Sequence, residues 1–321
     1  MNNVDALDKA TQPMALISVL FSLRRMALVL LVALPLTASA AGQKTFATPE
    51  AAADALVAAL KADDDAAILA LFGAQYKDEL ITPDHAANSA TRAKILAAMQ
   101  TFRVLEEAGN DRQVLLIGEQ AWPLPIPLVR EQGAWRFATE QGIDEIVNRR
   151  IGANERNAVT VLRAYLDAQK EYAARDRNGD GVLQYAQKLA SAPGKHDGLY
   201  WAADENKGEE ASPFGPLVAQ SAGYLKGHVA GDPYRGYHFR ILTRQGKSAP
   251  GGAYNYVING RMIAGFAMVA YPDAYGESGV MTFIVSNSGK IYQKNLGRAT
   301  TKLAAAMTAY NPDPTWKKAG D

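Results

Sequence analysis

The residues with the most distinctive chemistry are Asp176-Arg177-Asn178-Gly179-Asp180-Gly181, followed by Val182 and Leu183. Oxygen-bearing side chains at every second position can converge on one hard cation. A glycine at the sixth position permits the sharp turn, and the next carbonyl can join the ligand set. This is the first half of a calcium loop, with Asp176, Asn178, Asp180, Val182 and, at the twelfth position, Gln187 as its ligands. That last position ordinarily holds a bidentate glutamate. Gln187 is neutral and offers one oxygen, so any bound calcium is expected to be held weakly, at a dissociation constant on the order of 0.1–1 mM. The same residues also suit an ion-free turn, since Asp and Asn can hydrogen-bond their own backbone.

Other groupings carry less. Asp204, Glu205, Glu209 and Glu210 fall together, and paired carboxylates can perform acid–base hydrolysis. Gly208 and Pro213 mark a polar loop there, however, and a solvated surface is the expectation. Asp63-Asp64-Asp65 reads as a turn and helix cap rather than a metal site. The four histidines, His85, His196, His228 and His238, form no i, i+4 pair, so a zinc site has little local support. There is no cysteine nucleophile, no G-x-S-x-G, no H-E-x-x-H and no P-loop, and Gly276-Glu277-Ser278-Gly279 lacks the spacing of a nucleophile elbow. No catalytic residue is assigned, and weak calcium is the one cofactor considered.

The elements that must position these residues fall into two groups. Thr48-Pro49-Glu50 starts a helix, and Leu56 and Leu60 share one face of it. A second helix runs from the aspartates to Phe72, and a third covers Thr91–Gln100. Phe102 and Val104, then Val114 and Leu116, alternate around Gly109-Asn110-Asp111 as a hairpin. Prolines at 123, 125 and 127 predict an edge or extended segment, and Trp122 and Trp135 are expected in a core or pocket wall. A short strand at Ala134–Phe137 leads to a helix near Ile143–Arg149. A new helix from Asn154 carries Ala158, Val161, Leu162, Tyr165, Ala168 and Tyr172 as an amphipathic stripe. Beyond Tyr237 the chain reads as an antiparallel meander, with an Asn259-Gly260 hairpin turn and a fully buried Phe266–Ala270. The stripe is expected to cover the meander. The fold class is α+β, with N-terminal helices and a curved antiparallel sheet followed by a long helix on a meander. The expected domains are 41–152 and 153–321.

Residues 1–40 read as a signal peptide. Arg24-Arg25 precede the apolar run Met26–Leu36 and the small residues Thr37-Ala38-Ser39-Ala40-Ala41, with cleavage expected after Ala40. The run is shorter than the roughly 20 residues of a spanning helix, so no stable membrane anchor is expected after cleavage. Removing the three basic and two acidic residues of positions 1–40 leaves 31 of each. A mature chain of zero net charge argues against nucleic acid as a partner. The total lack of cysteine removes disulfides from the account of an exported protein.

The segments DGLYW at 197–201, YRGYHFRIL at 234–242, YNYVINGRMIAGFAMVAYP at 254–272 and YGESGVMTFIVSNSGKIYQKNLG at 275–297 resemble an exported bacterial family, domain of unknown function 2950. The resemblance implies an exported protein of no assigned activity. The order of elements in the first half resembles the cone-shaped domains similar to nuclear transport factor 2. The second half is similar to the globular heads of type IV pilins and pseudopilins, although no methylated membrane helix leads into it. Two functions are therefore expected to compete. One is a non-enzymatic periplasmic or secreted module that binds an envelope protein or small ligand. The other is a hydrolase or ligand binder using a first-domain pocket or the loops between Asp197 and Tyr237.

Overall fold

The structure, a computed structural model, describes residues 42–203, 207–220 and 232–320. The predicted signal peptide, Asp204, Glu205 and His228 lie outside them. Thr48 caps α1 (Pro49–Ala62) by accepting from the Ala51 N–H at 3.2 Å, and Asp64 caps α2 (Asp65–Phe72) by accepting from the Ala66 N–H at 2.9 Å. Asp63 and Asp65 receive the guanidinium of Arg92, so the triple aspartate is a cap and an anchor. Short α3 (Lys77–Leu80) leads to α4 (His85–Thr101), which begins earlier than its Thr91–Gln100 pattern because Asp84 caps it.

The helices cover one face of an antiparallel sheet. Its strands are β1 (Arg103–Glu107), β2 (Arg112–Ile117), β3 (Trp122–Pro123), β4 (Leu128–Glu131) and β5 (Ala134–Phe137). β3 and β4 both pair with β2, one after the other, and the break between them holds Pro125 and Pro127. The proline-rich segment is thus an edge strand on β2 that runs into irregular chain, as its prolines predict. Pro127 joins through its carbonyl, which accepts from the Ala138 N–H at 2.8 Å, and regular pairing resumes one residue later. Leu56, Leu60, Phe72, Met99, Leu128 and Phe137 form the buried centre of this layer. Trp135 packs against it, whereas Trp122 is 59% exposed, with the Arg149 guanidinium 5.4 Å from its ring centre. Trp122 is therefore a surface residue, not a core one.

The two helices read separately at 143–149 and from 154 are one, α5 (Ile143–Ala173), which passes unbroken through the anticipated boundary at 152/153. It starts at Gly142, where a side-chain carbon would lie 2.3 Å from the Pro125 carbonyl oxygen. Its apolar stripe is buried as the spacing predicts, while Arg163, Asp167, Lys170 and Glu171 are exposed.

That stripe packs on a second antiparallel sheet, ordered β14-β13-β12-β11-β6. β6 (Tyr237–Leu242) is followed by an excursion. In it β7 (Arg244–Gln245) pairs with β8 (Tyr254–Asn255), and β9 (Val257–Ile258) pairs with β10 (Arg261–Met262). Asn259 (φ 50°) and Gly260 (φ 78°) make the predicted hairpin turn, but the hairpin stands apart from the main sheet. The chain then forms β11 (Ala267–Pro272), β12 (Met281–Ser286), β13 (Ile291–Asn295) and β14 (Lys317–Lys318). Residues 267–270 have no exposed surface.

On the face away from α5, Arg240 donates to the Ala304 and Met307 carbonyls at the end of a short helix, Thr300–Ala305. Another short helix, Gly215–Gln220, follows the 207–213 segment. Among the described residues no helix is long and apolar enough to cross a membrane.

The middle of α5 grips the turn before β12. Asn154 donates to the Ser278 carbonyl at 2.9 Å, and the Glu155 carboxylate accepts from the Val280 and Met281 N–H groups at 3.0 and 2.9 Å. Arg150 donates to the carbonyls of Glu277 and Glu79, at 3.0 and 2.7 Å. α5 therefore packs on the second sheet with one end and fastens α3 near the other.

Candidate ligand-binding site

The last turn of α5 delivers Tyr172 to the edge of its core, and the chain leaves the helix through the predicted calcium loop. Asp176 closes that loop on itself. Its Oδ1 accepts from the N–H groups of Asn178, Gly179 and Asp180, at 3.2, 2.9 and 3.3 Å, and its Oδ2 from Gly181 at 2.7 Å. These bonds, that from Gly181 foremost, hold its carboxyl below the usual aspartate range. Asp180 accepts from the Val182 N–H at 3.0 Å and from Arg261 Nε at 2.9 Å. Gln187 is placed apart, with Nε2 donating to the Gly260 carbonyl at 2.8 Å. Asp176, Asn178, Asp180 and Val182 thus share one turn, while Gln187 and the guanidinium opposite Asp180 tie that turn to the β9–β10 hairpin. Among the described residues no three His, Asp or Glu side chains are gathered to hold a metal. The loop brings only two carboxylates and depends on an amide and a carbonyl for the rest.

The neighbouring residue, Arg177, does more. Its side chain is only 4% exposed. The guanidinium lies 5.0 Å from the Tyr172 ring centre and 5.1 Å from that of Trp201. The His196 imidazole stacks on Trp201, 4.1 Å away and 15° from parallel. Tyr172, Arg177, Trp201 and His196 thus form a ladder of successive contacts between flat groups. Each layer is pinned. Arg177 Nε donates to the Tyr172 carbonyl at 3.2 Å, Tyr172 Oη to the His196 carbonyl at 2.9 Å, and Trp201 Nε1 to the Glu210 carbonyl at 2.8 Å.

The lobe that presents His196 is itself closed by charge. Asp197 accepts from the Ala192 N–H at 2.8 Å and from Lys188 Nζ at 2.6 Å; the Lys188 contact is the larger cause of its lowered pKa. Gly198 lies against the Ala190 backbone, where a side-chain carbon would come within 2.7 Å of the carbonyl carbon. Glu210 Oε1 takes Arg175 and Arg177 at 2.8 Å each, and Oε2 lies 4.0 Å from His196 Nδ1. Burial pushes the Glu210 carboxyl up, but the Arg177 bond and the charges of Arg177, Arg175 and His196 outweigh it and hold it down. Glu210 is therefore not the solvated loop acid the sequence suggested: it bridges two guanidiniums.

Between these groups lies a cleft of about 390 Å³ lined by Arg177, Asn178, Gly194, Lys195, His196 and Asp197. That volume is in the range of small-molecule sites. Glu210 and Asp197 are both held ionised, so neither is poised to give up a proton as a general acid at neutral pH. What the cleft offers is the exposed ring of His196, fixed positive charge and backbone. A second cleft, of about 430 Å³, is lined by Asp78, Glu79, Asp144, Arg150 and Glu277 among others. There Arg150 donates to two backbone carbonyls, and burial lowers its pKa against the pull of Glu277 and Glu79. That guanidinium acts as a bolt between α3 and the 276–279 turn. His238, paired with Asp273 at 2.7 Å and stacked on Tyr271, sits on the other face of the second sheet.

Sequence reasoning found the loop but passed over Arg177, His196, Trp201 and Glu210 as a group. No spacing signal joins them: Arg177 precedes the Pro193-Gly194 loop, and His196, Trp201 and Glu210 follow it.

The model of a family described as "Protein of unknown function (DUF2950)" matches residues 43–319. No curated protein and no solved structure matches the chain, so the likenesses to pilin heads and to nuclear transport factor 2 gain no support there.

Proposed function

The chain belongs to the DUF2950 family, and we propose that it is an exported binding module of the cell envelope that takes a small ligand at the cleft beside Arg177. The observation that carries this reading is the ladder Tyr172–Arg177–Trp201–His196. It is an already assembled, largely buried support that holds the exposed His196 ring at the cleft, so little ordering is needed on binding. The carboxylates beside it are held ionised by basic neighbours. That environment favours recognition over acid–base turnover.

Export is supported by Arg24-Arg25, the apolar run Met26–Leu36 and the small residues up to Ala41. The mature protein is then periplasmic or secreted, without a stable membrane anchor and with no role for nucleic acid. Its partner is a small ligand or an envelope protein. Weak calcium at Asp176, Asn178, Asp180, Val182 and Gln187 belongs to the same reading, with Arg261 as the resident cation that calcium must displace from Asp180.

The test is fractionation of cells producing the tagged chain, with N-terminal sequencing and native mass spectrometry of the recovered protein. The expected result is an envelope-fraction protein that begins at Ala41 and carries a small molecule which His196→Ala releases. An intact N-terminus in the cytoplasmic fraction would overturn export. An unliganded protein indifferent to His196→Ala would overturn the binding site.

A further inference from the structure

Resting on the reading of this cleft as a binding site, we infer that its ligand is a small oxyanion: a compound presenting a carboxylate or a phosphate to Lys195 and the Arg177 end of the ladder. The argument is one of charge placement. Among the described residues around the cleft, four cations (Arg175, Arg177, Lys188 and Lys195) face three anions, Asp176, Asp197 and Glu210, and Asp176 is spent on the backbone N–H groups of its own turn. Asp197 is taken by Lys188 at 2.6 Å. Glu210 is shared by Arg175 and Arg177 through one oxygen, so a single carboxylate answers two guanidiniums. Lys195, exposed on the cleft wall, has only the field of Asp197, which Lys188 already occupies, and lies beside a half-exposed imidazole.

Glu210 shows what this surface accepts. A carboxylate with two guanidiniums on one oxygen, and an imidazole near the other, is held by the chain's own geometry. A ligand oxyanion entering along Gly194–His196 meets the same field from the open side. Arg177 cannot swing away to meet solvent, because Tyr172 and Trp201 flank it and its Nε is bound to a backbone carbonyl. The positive charge is therefore fixed in place before the ligand arrives, and the flat face of His196 remains for whatever group carries the anion. A cationic ligand would meet the same charges with the wrong sign.

The experiment uses the mature full chain with inorganic phosphate and succinate as separate probes, which distinguishes phosphate from carboxylate recognition. Backbone amide resonances are followed at low ionic strength. Lys195→Glu reverses the charge on the cleft wall, and Lys302→Glu makes the same change on the short helix beneath the opposite face of the second sheet. Both lysines are exposed, so both variants should fold. The expected result is saturable movement of the Gly194–Asp197 amides by at least one probe. Affinity should fall at least tenfold in Lys195→Glu, stay unchanged in Lys302→Glu, and weaken several-fold as salt approaches physiological strength. Equal effects of the two charge reversals, or no movement at Gly194–Asp197 with either probe, would overturn the oxyanion assignment. In the latter case, movement of the Trp201 indole by an envelope extract would keep the binding site and discard only its ligand class. Silence from both would discard both.

Discussion

Gln169 has no exposed surface, and both ends of its amide are used. Oε1 accepts from the Ala186 N–H at 2.8 Å, and Nε2 donates to the Ala186 carbonyl at 2.9 Å and to Tyr165 Oη at 3.0 Å. One side chain thus satisfies both backbone groups of a buried residue, as a neighbouring strand would. It pins the chain just after the calcium-like loop to α5. Removing it leaves two buried backbone groups unpaired, at about 1–3 kcal/mol each. Gln169→Leu is therefore predicted to lower unfolding free energy by about 2–4 kcal/mol in a urea titration, with an unchanged denaturant slope. A loss below about 0.5 kcal/mol would mean that water or the backbone replaces the amide readily.

The loop itself gives a second prediction at this scale. Calcium at ten times its dissociation constant is expected to stabilise the protein by about 1.4 kcal/mol, read as a rise in melting temperature. Asp176→Ala with Asp180→Ala should abolish that rise, and Arg261→Gln should bring it on at lower calcium. No rise up to several millimolar would leave the loop as a plain Asx turn.

At the scale of elements, α5 sets the layout, and its continuity was the least legible feature. Each half carries its own signal: acids at Asp144 and Glu145 in a first turn, and an apolar stripe that begins only at Ala158. Between them Ile151-Gly152-Ala153-Asn154 is half-buried and holds a glycine and an asparagine, both weak helix formers, so local propensity suggests a break. Tertiary contacts override it: Arg150, Asn154 and Glu155 are all committed to the turn before β12. In contrast, α1 and α2 were readable almost to the residue because caps are local signals, while the first hairpin was found with its faces reversed: Phe102 and Val104 are exposed, and Leu115 and Ile117 are buried. The ladder was not readable. Tyr172, Arg177, His196, Trp201 and Glu210 are brought together by folding rather than by spacing.

Gly152 tests the continuous rod. Its nearest contact for an added side-chain carbon is the Arg156 guanidinium at 3.4 Å. Gly152→Ala is thus expected to stabilise the protein by about 0.5–1 kcal/mol through helix propensity. Gly152→Pro should cost about 3 kcal/mol or more. Both would be read from thermal unfolding, and a tolerated proline would show that two helices meet there.

For the whole molecule, the lowered carboxyls Asp63, Asp197 and Glu210 act together. Asp63 is held down first by Ser89 and then by Arg92, Asp197 by Lys188, and Glu210 by Arg177 against its burial. Each binds its proton less readily in the folded protein than in the unfolded chain. Each therefore contributes stability that is full above the unfolded carboxyl range, about pH 4, and is lost as pH falls through the lower folded values. The melting temperature is predicted to drop progressively below pH 4. Glu210→Gln should lower it at pH 7 and flatten part of the acid dependence. An identical acid profile for wild type and variant would contradict the two-guanidinium bridge.

The most direct test of the account uses the four tryptophans as position markers, since Trp201 lies in the ladder, Trp122 and Trp135 in the first layer, and Trp316 against the second core. Their indole N–H resonances, with that of Trp201 identified through Trp201→Phe, would be followed as a low-molecular-mass extract of the producing cells' envelope is added to the mature protein. The account predicts that the Trp201 signal moves while that of Trp122 stays fixed. Movement confined to Trp122 or Trp135 would place the ligand on the first layer and contradict it.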